Sequence, residues 1–176
     1  SSTRYEGDLL NSFGHPVPVV AGQLQPPSKS EYTKGIGTDV VSRVLQTDFS
    51  DEEDHVLMDL SGAYRVPSLE SLTRNFTHCR TGDGVVTVID AVRFSSPERF
   101  ETALITYGEW SQRPDGVLRL HDGVSGFDVR VRCGEGSLEF DHLVIQESST
   151  PTRLSWRLVE TVTEASIRIE VRPAHD

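Results

Sequence analysis

Apolar and polar residues alternate with a period of two in about eleven short stretches, and none of them carries a helical period. Phe127, Val129 and Val131 share one face of a predicted strand, and Asp128, Arg130 and Arg132 share the other. Ile167, Ile169 and Val171 alternate in the same way with Arg168, Glu170 and Arg172. One dry face and one wet face per strand is the pattern of antiparallel sheets stacked face to face. The predicted fold is therefore all-β: an antiparallel, supersandwich-like β-sandwich of about eleven short strands, with little or no helix.

Residues 1–34 form an irregular opening segment in which Pro16, Pro18, Pro26 and Pro27 interrupt pairing. Within it, 17–21 is expected to form an edge strand and 28–31 a polar loop. Residues 35–176 are assigned to the β-sandwich, and both segments to one domain. Strands are predicted over 38–48, with Val40 or Val41, Val44 and Leu45 toward the core, and over 55–60, after an acidic turn at 50–54. Further strands are expected over 69–79, 85–94, 100–107, 116–121, 127–133, 138–145, 153–159 and 167–171. Thr81-Gly82-Asp83-Gly84 reads as a hairpin turn, because glycine supplies the positive φ such turns need. In 69–79, Arg74 shares a face with Leu72 and Phe76, so this inward charge requires a partner.

At 176 residues the chain can bury its own core, and a net charge of −10 excludes nucleic acid and anionic membranes as partners, since phosphate binding needs a basic face. The same charge requires that basic residues be gathered on one surface if a polyanionic glycan is to bind. No apolar run reaches membrane-helix length, and no signal peptide is present. The sequence opens on Ser1 rather than Met, which predicts a processed or excised product. Were the first strands of a larger β region missing, an exposed sheet edge would pair copies into a homodimer. Cys79 and Cys133 are either buried thiols or one disulfide joining two strands.

Chemistry-bearing motifs are sparse. The chain has no GxSxG, CxxC or HExxH, and its six histidines are scattered singly. His15 stands apart because Gly14 and Pro16 fix its backbone while Asn11, Ser12 and Gln23 bring hydrogen-bonding groups close. A rigid turn presenting one imidazole suits an active-site wall or a metal ligand. Equally, Asn11 and Ser12 form an Asx-type turn that His15 merely caps. The acidic stretch 51–54 lacks the ligand spacing of a calcium loop and reads as a solvated turn. Trp156 alternates with Leu154 and Leu158 and is assigned to the core; Trp110, at a strand end, is the candidate for an exposed sugar-stacking residue. Tyr64 is expected in the core, and nothing marks Tyr32 or Tyr107 as catalytic. Arg130, Arg132 and Arg168 form either a basic stripe or ordinary alternating charge on a wet sheet face. Asn75-Phe76-Thr77 fits a glycosylation sequon.

Asn-Ser-Phe-Gly-His-Pro-Val-Pro at 11–18 is followed by Gly-Gln-Leu-Gln at 22–25. Asp-Leu-Ser-Gly-Ala-Tyr at 59–64, Leu-Thr-Arg at 72–74, Val-Ile-Asp at 88–90 and Glu-Thr-Ala-Leu-Ile-Thr at 101–106 come after it in order. Over roughly residues 4–172 this series resembles the C-terminal β-sheet domain of heparinase II/III-family polysaccharide lyases. The resemblance implies a bacterial periplasmic or secreted enzyme that cleaves acidic, uronate-containing polysaccharide by β-elimination, with an α/α toroid domain of the parent chain as partner. It makes His15 a third metal ligand, with zinc as a candidate cofactor of the complete parent protein, and the residues taken as substrate-cleft candidates are Asn11, His15, Gln23 and Trp110. Pro16 replaces the family's usual Asn, and no HxHxD segment or toroid is present, so the resemblance implies no turnover by this chain alone. A non-catalytic carbohydrate-binding or structural sandwich is the alternative.

Overall fold

A computed structural model describes residues 7–26, 40–146 and 150–174. The expected polar loop at 28–31, Tyr32, the start of the 38–48 strand and His175 lie outside the described residues. Twelve strands build two antiparallel sheets: β1 (Val19–Val20), β2 (Arg43–Phe49), β3 (Glu53–Asp59), β4 (Leu69–Cys79), β5 (Val85–Glu98), β6 (Phe100–Thr106), β7 (Glu109–Gln112), β8 (Leu118–His121), β9 (Gly126–Cys133), β10 (Leu138–Val144), β11 (Thr152–Leu158) and β12 (Val162–Pro173). The smaller sheet runs β1-β6-β11-β10 and the larger β2-β3-β4-β5-β12-β9-β8-β7. The sequence pattern missed one short strand, β7, whose Glu-Trp-Ser-Gln has too little alternation to mark it. Helical structure among the described residues is confined to two single 3-10 turns, Ser12–Gly14 and Ser61–Ala63.

The core is the dry interface between the sheets. Val20, Phe100 and Leu158 of the smaller sheet meet Leu72, Val92, Phe94 and Ile167 of the larger one. A second cluster joins Leu154 and Trp156 to Leu118, Val129 and Ile169. Burying these alternating side chains is the main favourable term, and the strict period of two fixes the register. As expected, Trp156 and Tyr64 are buried.

The first long strand corrects its sequence reading. Of the pair Val40 and Val41, Val40 packs half-buried against the core, but Val41, Val44 and Leu45 are exposed, as is every residue of β2, Phe49 at 65%. Strand β2 is the outermost strand of an eight-stranded sheet that faces four, so among the described residues the inward face at that edge has no sheet opposite it. Alternation shows that a strand has an apolar face, and says nothing about what lies against that face. Cys79 and Cys133 are both free, half-buried thiols. Asn75 is half-buried in mid-β4, paired with Leu57 and Ile89, with its Oδ1 shielded from solvent, which makes the sequon a poor glycan acceptor.

Two measurements follow from these edges and charges. Among the described residues β2 is an apolar edge strand, and such a strand is a template for pairing, so light scattering should detect a concentration-dependent dimer that Phe49→Lys returns to monomer. A clean monomer at high concentration would contradict this. Separately, hydrogen bonding by Ser61 holds the Asp59 carboxyl below its ordinary range, and Arg172, then Arg168, do the same for Glu170. Groups with depressed folded-state values contribute stability above their unfolded pKa and lose it as pH falls through the folded one. The thermal midpoint should therefore hold near neutrality and drop in acid below about pH 4, the usual carboxylate range.

Candidate functional site

The opening segment is irregular because its backbone polar groups are satisfied by side chains and turns rather than by a ladder. Asn11 Oδ1 accepts from Phe13 N at 2.7 Å, which starts the Ser12–Gly14 turn, and His15 N closes it by donating to Ser12 O. Gly14 sits so close to the preceding turn that an added Cβ would lie 2.4 Å from Leu9 O. Ser12 Oγ accepts from Gln25 N at 2.9 Å, tying the two halves of the segment together. Between them, Val20 and Gln23 bridge across a two-residue turn whose central residues Ala21 and Gly22 both have positive φ, 51° and 72°. Such a turn is the tight hairpin type, and Gly22 adopts it without steric cost.

Two buried arginines hold this segment against the sandwich. From β4, Arg74 donates to both carboxylate oxygens of Asp90, Nε to Oδ1 at 2.6 Å and Nη2 to Oδ2 at 2.7 Å. Its remaining nitrogen, Nη1, donates to Pro16 O at 2.5 Å. Thr102 Oγ1 of β6 donates to Asp90 Oδ2 at 2.6 Å, so the pair bridges the two sheets. Asp90 is thus the partner that an inward Arg74 demands, and it is 1% exposed.

The second arginine is Arg153 of β11. Nη1 donates to Phe13 O at 2.7 Å and His15 O at 3.4 Å, Nη2 donates to Glu101 Oε1 at 2.9 Å, and the guanidinium lies 4.4 Å from the Phe13 ring centroid. Tyr64 completes the clamp by donating its hydroxyl to Pro18 O at 2.6 Å. Burial pushes the Tyr64 phenol far above its ordinary range, so it serves as a structural donor and not as an acid or base near neutrality.

His15 emerges exposed from this clamped backbone, with the carbonyls of Phe13, His15 and Pro16 drawn inward by guanidinium groups. Asn11 lies in the same loop, where its side chain caps the turn and its amide reaches Asp8 at 3.5 Å; the Asx-turn geometry is the one observed. Gln23 is exposed beyond β1, with its backbone closing the hairpin turn. Trp110 is not brought to this loop. It is half-buried at the β10 edge, against Phe140 at 5.7 Å and His142 at 4.7 Å between ring centroids. The expectation of an exposed Trp110 is corrected: β7 places it over the apolar edge of the opposite sheet, where an aromatic ring is most stable packed. Sequence reading missed Asp90, Thr102, Glu101 and Arg153.

Among the described residues, no three His, Cys, Asp or Glu side chains converge as metal ligands. One imidazole cannot hold zinc, which takes three or four protein ligands, so the residues present do not fit that ion by themselves.

Comparison with solved structures bears on the architecture. A crystal structure of heparinase III superposes with a TM-score of 0.63 at 11% identity, covering 91% of this chain and 23% of that one. Heparan sulfate lyase HepC from Pedobacter heparinus gives 0.62 at 10% identity, covering 92% of this chain and 24% of that one. A heparinase III with methylated lysines gives 0.64 at 12% identity over 95% of this chain. This chain carries the fold of a heparinase III segment. It spans about a quarter of the length of the structures it matches. No protein-family model and no curated protein matches the sequence.

The clamp makes a graded prediction. Arg74→Met leaves Asp90 buried without its counter-charge and should destabilise the fold by about 3–5 kcal/mol, the usual cost of breaking a buried pair from one side. The double change Arg74→Met with Asp90→Leu, which removes both charges, should recover a large part of that loss in denaturant unfolding. A double variant no more stable than the single one would show that the pair is not the determinant.

Proposed function

We propose that this chain is the C-terminal β-sandwich domain of a heparinase II/III-like polysaccharide lyase, with the His15 loop as one wall of the substrate cleft. The observation that carries this reading is the clamped loop itself. Two buried arginines, a buried tyrosine and a glycine that admits no Cβ hold the backbone that carries one exposed imidazole. Buried charges are costly unless fully paired, and here they support the irregular stretch that brings Val20 and Ala21 to the core. Preorganising one side chain in this way is what a substrate wall requires. The fold likeness supports the same reading, since 91–95% of the chain matches a segment of heparinase III and heparan sulfate lyase structures.

In the reaction proposed for the parent protein, a base removes the proton on the carbon α to the uronate carboxylate. The electron pair left behind forms the new double bond as the β glycosidic oxygen departs and takes up a proton. Neutralising the carboxylate stabilises the intermediate anion. The β wall would present His15 to the sugar, while the α/α toroid domain of the parent supplies the carboxylate-neutralising and proton-transferring groups. A zinc site that used His15 would need at least two further ligands from that parent chain.

A non-catalytic carbohydrate-binding module is the second reading. The arginines on the outer face of the larger sheet favour it, while the packed Trp110 removes its stacking residue.

Absorbance of unsaturated uronate is the direct test, with heparin, heparan sulfate, hyaluronan, chondroitin and alginate as substrates. The isolated chain should give a flat trace on all five. The full-length parent should cleave at least one, and His15→Ala should lower that rate by at least about a hundredfold, as losses of a group acting at the reacting centre do. Turnover by the chain alone, or a fully active His15→Ala parent, would contradict the proposal.

A further inference from the structure

The net charge of −10 is not evenly spread. On the outward face of the larger sheet, Arg119 projects from β8, Arg130 and Arg132 from β9, and Arg168 and Arg172 from β12, with Arg113 on the turn beside them. Their outward direction follows from register: Val129, Ile167 and Ile169, which alternate with them, are buried. The carboxylates lining this face are Asp115, Asp128, Glu170 and, at its far end, Glu53, so six arginines against four acids leave an excess of two positive charges.

We infer that this face is a second binding surface, separate from His15, for a carboxylated or sulfated glycan chain. The class of ligand rests on the lyase reading above, whereas the surface rests on three observations of its own. First, Arg132 stands directly opposite Arg168 in the β9–β12 register. Like charges facing across a ladder destabilise a sheet, so folding alone gives no reason for the pair, and a bound anion would relieve it. Second, Glu170 is shared by Arg168 and Arg172 at 3.2 and 2.8 Å, and Asp128 is engaged by Arg119 at 2.6 Å, while Arg130 and Arg132 have no ion-pair partner among the described residues. Third, the face is hollowed. One depression of about 260 Å³ is lined by Arg113, Asp128, Arg130, Glu170 and Arg172. A second, of about 300 Å³, continues from Glu170 and Arg172 to Arg168, Thr87 and Thr77, and ends at Glu53.

The trough suits a linear polyanion. Alternate residues on a strand lie about 6.7 Å apart and neighbouring strands about 4.8 Å apart, so guanidinium groups are available at every sugar-sized step. Each presents a planar fork that matches carboxylate or sulfate oxygens two at a time. The chain's negative charge elsewhere is screened beyond about 8–10 Å at ordinary ionic strength, leaving the local excess to decide encounter. No aromatic ring is among the residues lining either depression, so recognition is ionic and salt-sensitive rather than built on stacking.

The test is calorimetric titration of the purified chain with heparin, with dextran as the neutral control and duplex DNA as a polyanion without sugar carboxylates. Wild-type chain should bind heparin, bind it more weakly as salt is raised, and ignore dextran. The triple variant Arg130→Ala, Arg132→Ala, Arg168→Ala should lose at least tenfold in affinity, and His15→Ala should bind like wild type. Arg132→Gln alone removes the facing like charges, so it should fold with an undiminished thermal midpoint and still lose at least threefold. No heparin binding by folded wild-type chain, equal binding by the triple variant, or equally tight binding of DNA would each overturn the inference. Failure of the lyase reading shows elsewhere, as full activity of the His15→Ala parent, so the two outcomes are separable.

Discussion

Arg74 sits at 5% exposure inside an all-β core, and the need to satisfy its guanidinium constrains everything around it. A buried charge is tolerated only when its donors are matched and its counter-ion is close. Here the match draws on four separate pieces of chain: Arg74 on β4, Asp90 on β5, Thr102 on β6 and the carbonyl of Pro16 in the opening segment. The network fixes the β4–β5 register, ties the larger sheet to the smaller, and docks the irregular opening segment against both. Hydrophobic burial explains why the sheets stack, and this pair explains why they stack with the His15 loop in place.

Arg153 extends the same logic to the other sheet. It alternates with Leu154 and Trp156, which point into the sandwich, so it points the other way; yet it is 1% exposed because the opening segment lies over it. Its guanidinium accepts the ring of Phe13 on its face and donates to backbone carbonyls at its edge. One Arg153 nitrogen, Nε, is buried with no partner, a cost the arrangement carries. The outcome is an imidazole on a backbone that is rigid although it belongs to neither sheet ladder.

Strands, core and topology class were legible because the period of two is a local property. The Arg74–Asp90 pair was also encoded: Cys79 and Val85 flank the Thr81–Gly84 turn, and stepping five residues along each strand puts Arg74 opposite Asp90. The turn signal and the inward charge each appear in the sequence, and only their combination names the partner. Arg153 carried no such signal, since its burial depends on a segment 140 residues away lying across it. The exposed β2 and the packed Trp110 fail for a related reason: what covers a strand face is decided by the opposite sheet.

Two surfaces of opposite construction result: a single histidine on a clamped loop, and a field of arginines on an open sheet. The central claim is that the loop is preorganised by buried guanidinium groups rather than ordered by a ligand. Amide hydrogen exchange of the free chain measures this directly. Strong protection at Gly14, His15, Val17 and Gln25, lost in Arg153→Met while β4, β5 and β12 stay protected, is the result the account predicts. Rapid exchange at those four amides in the wild-type chain would contradict it.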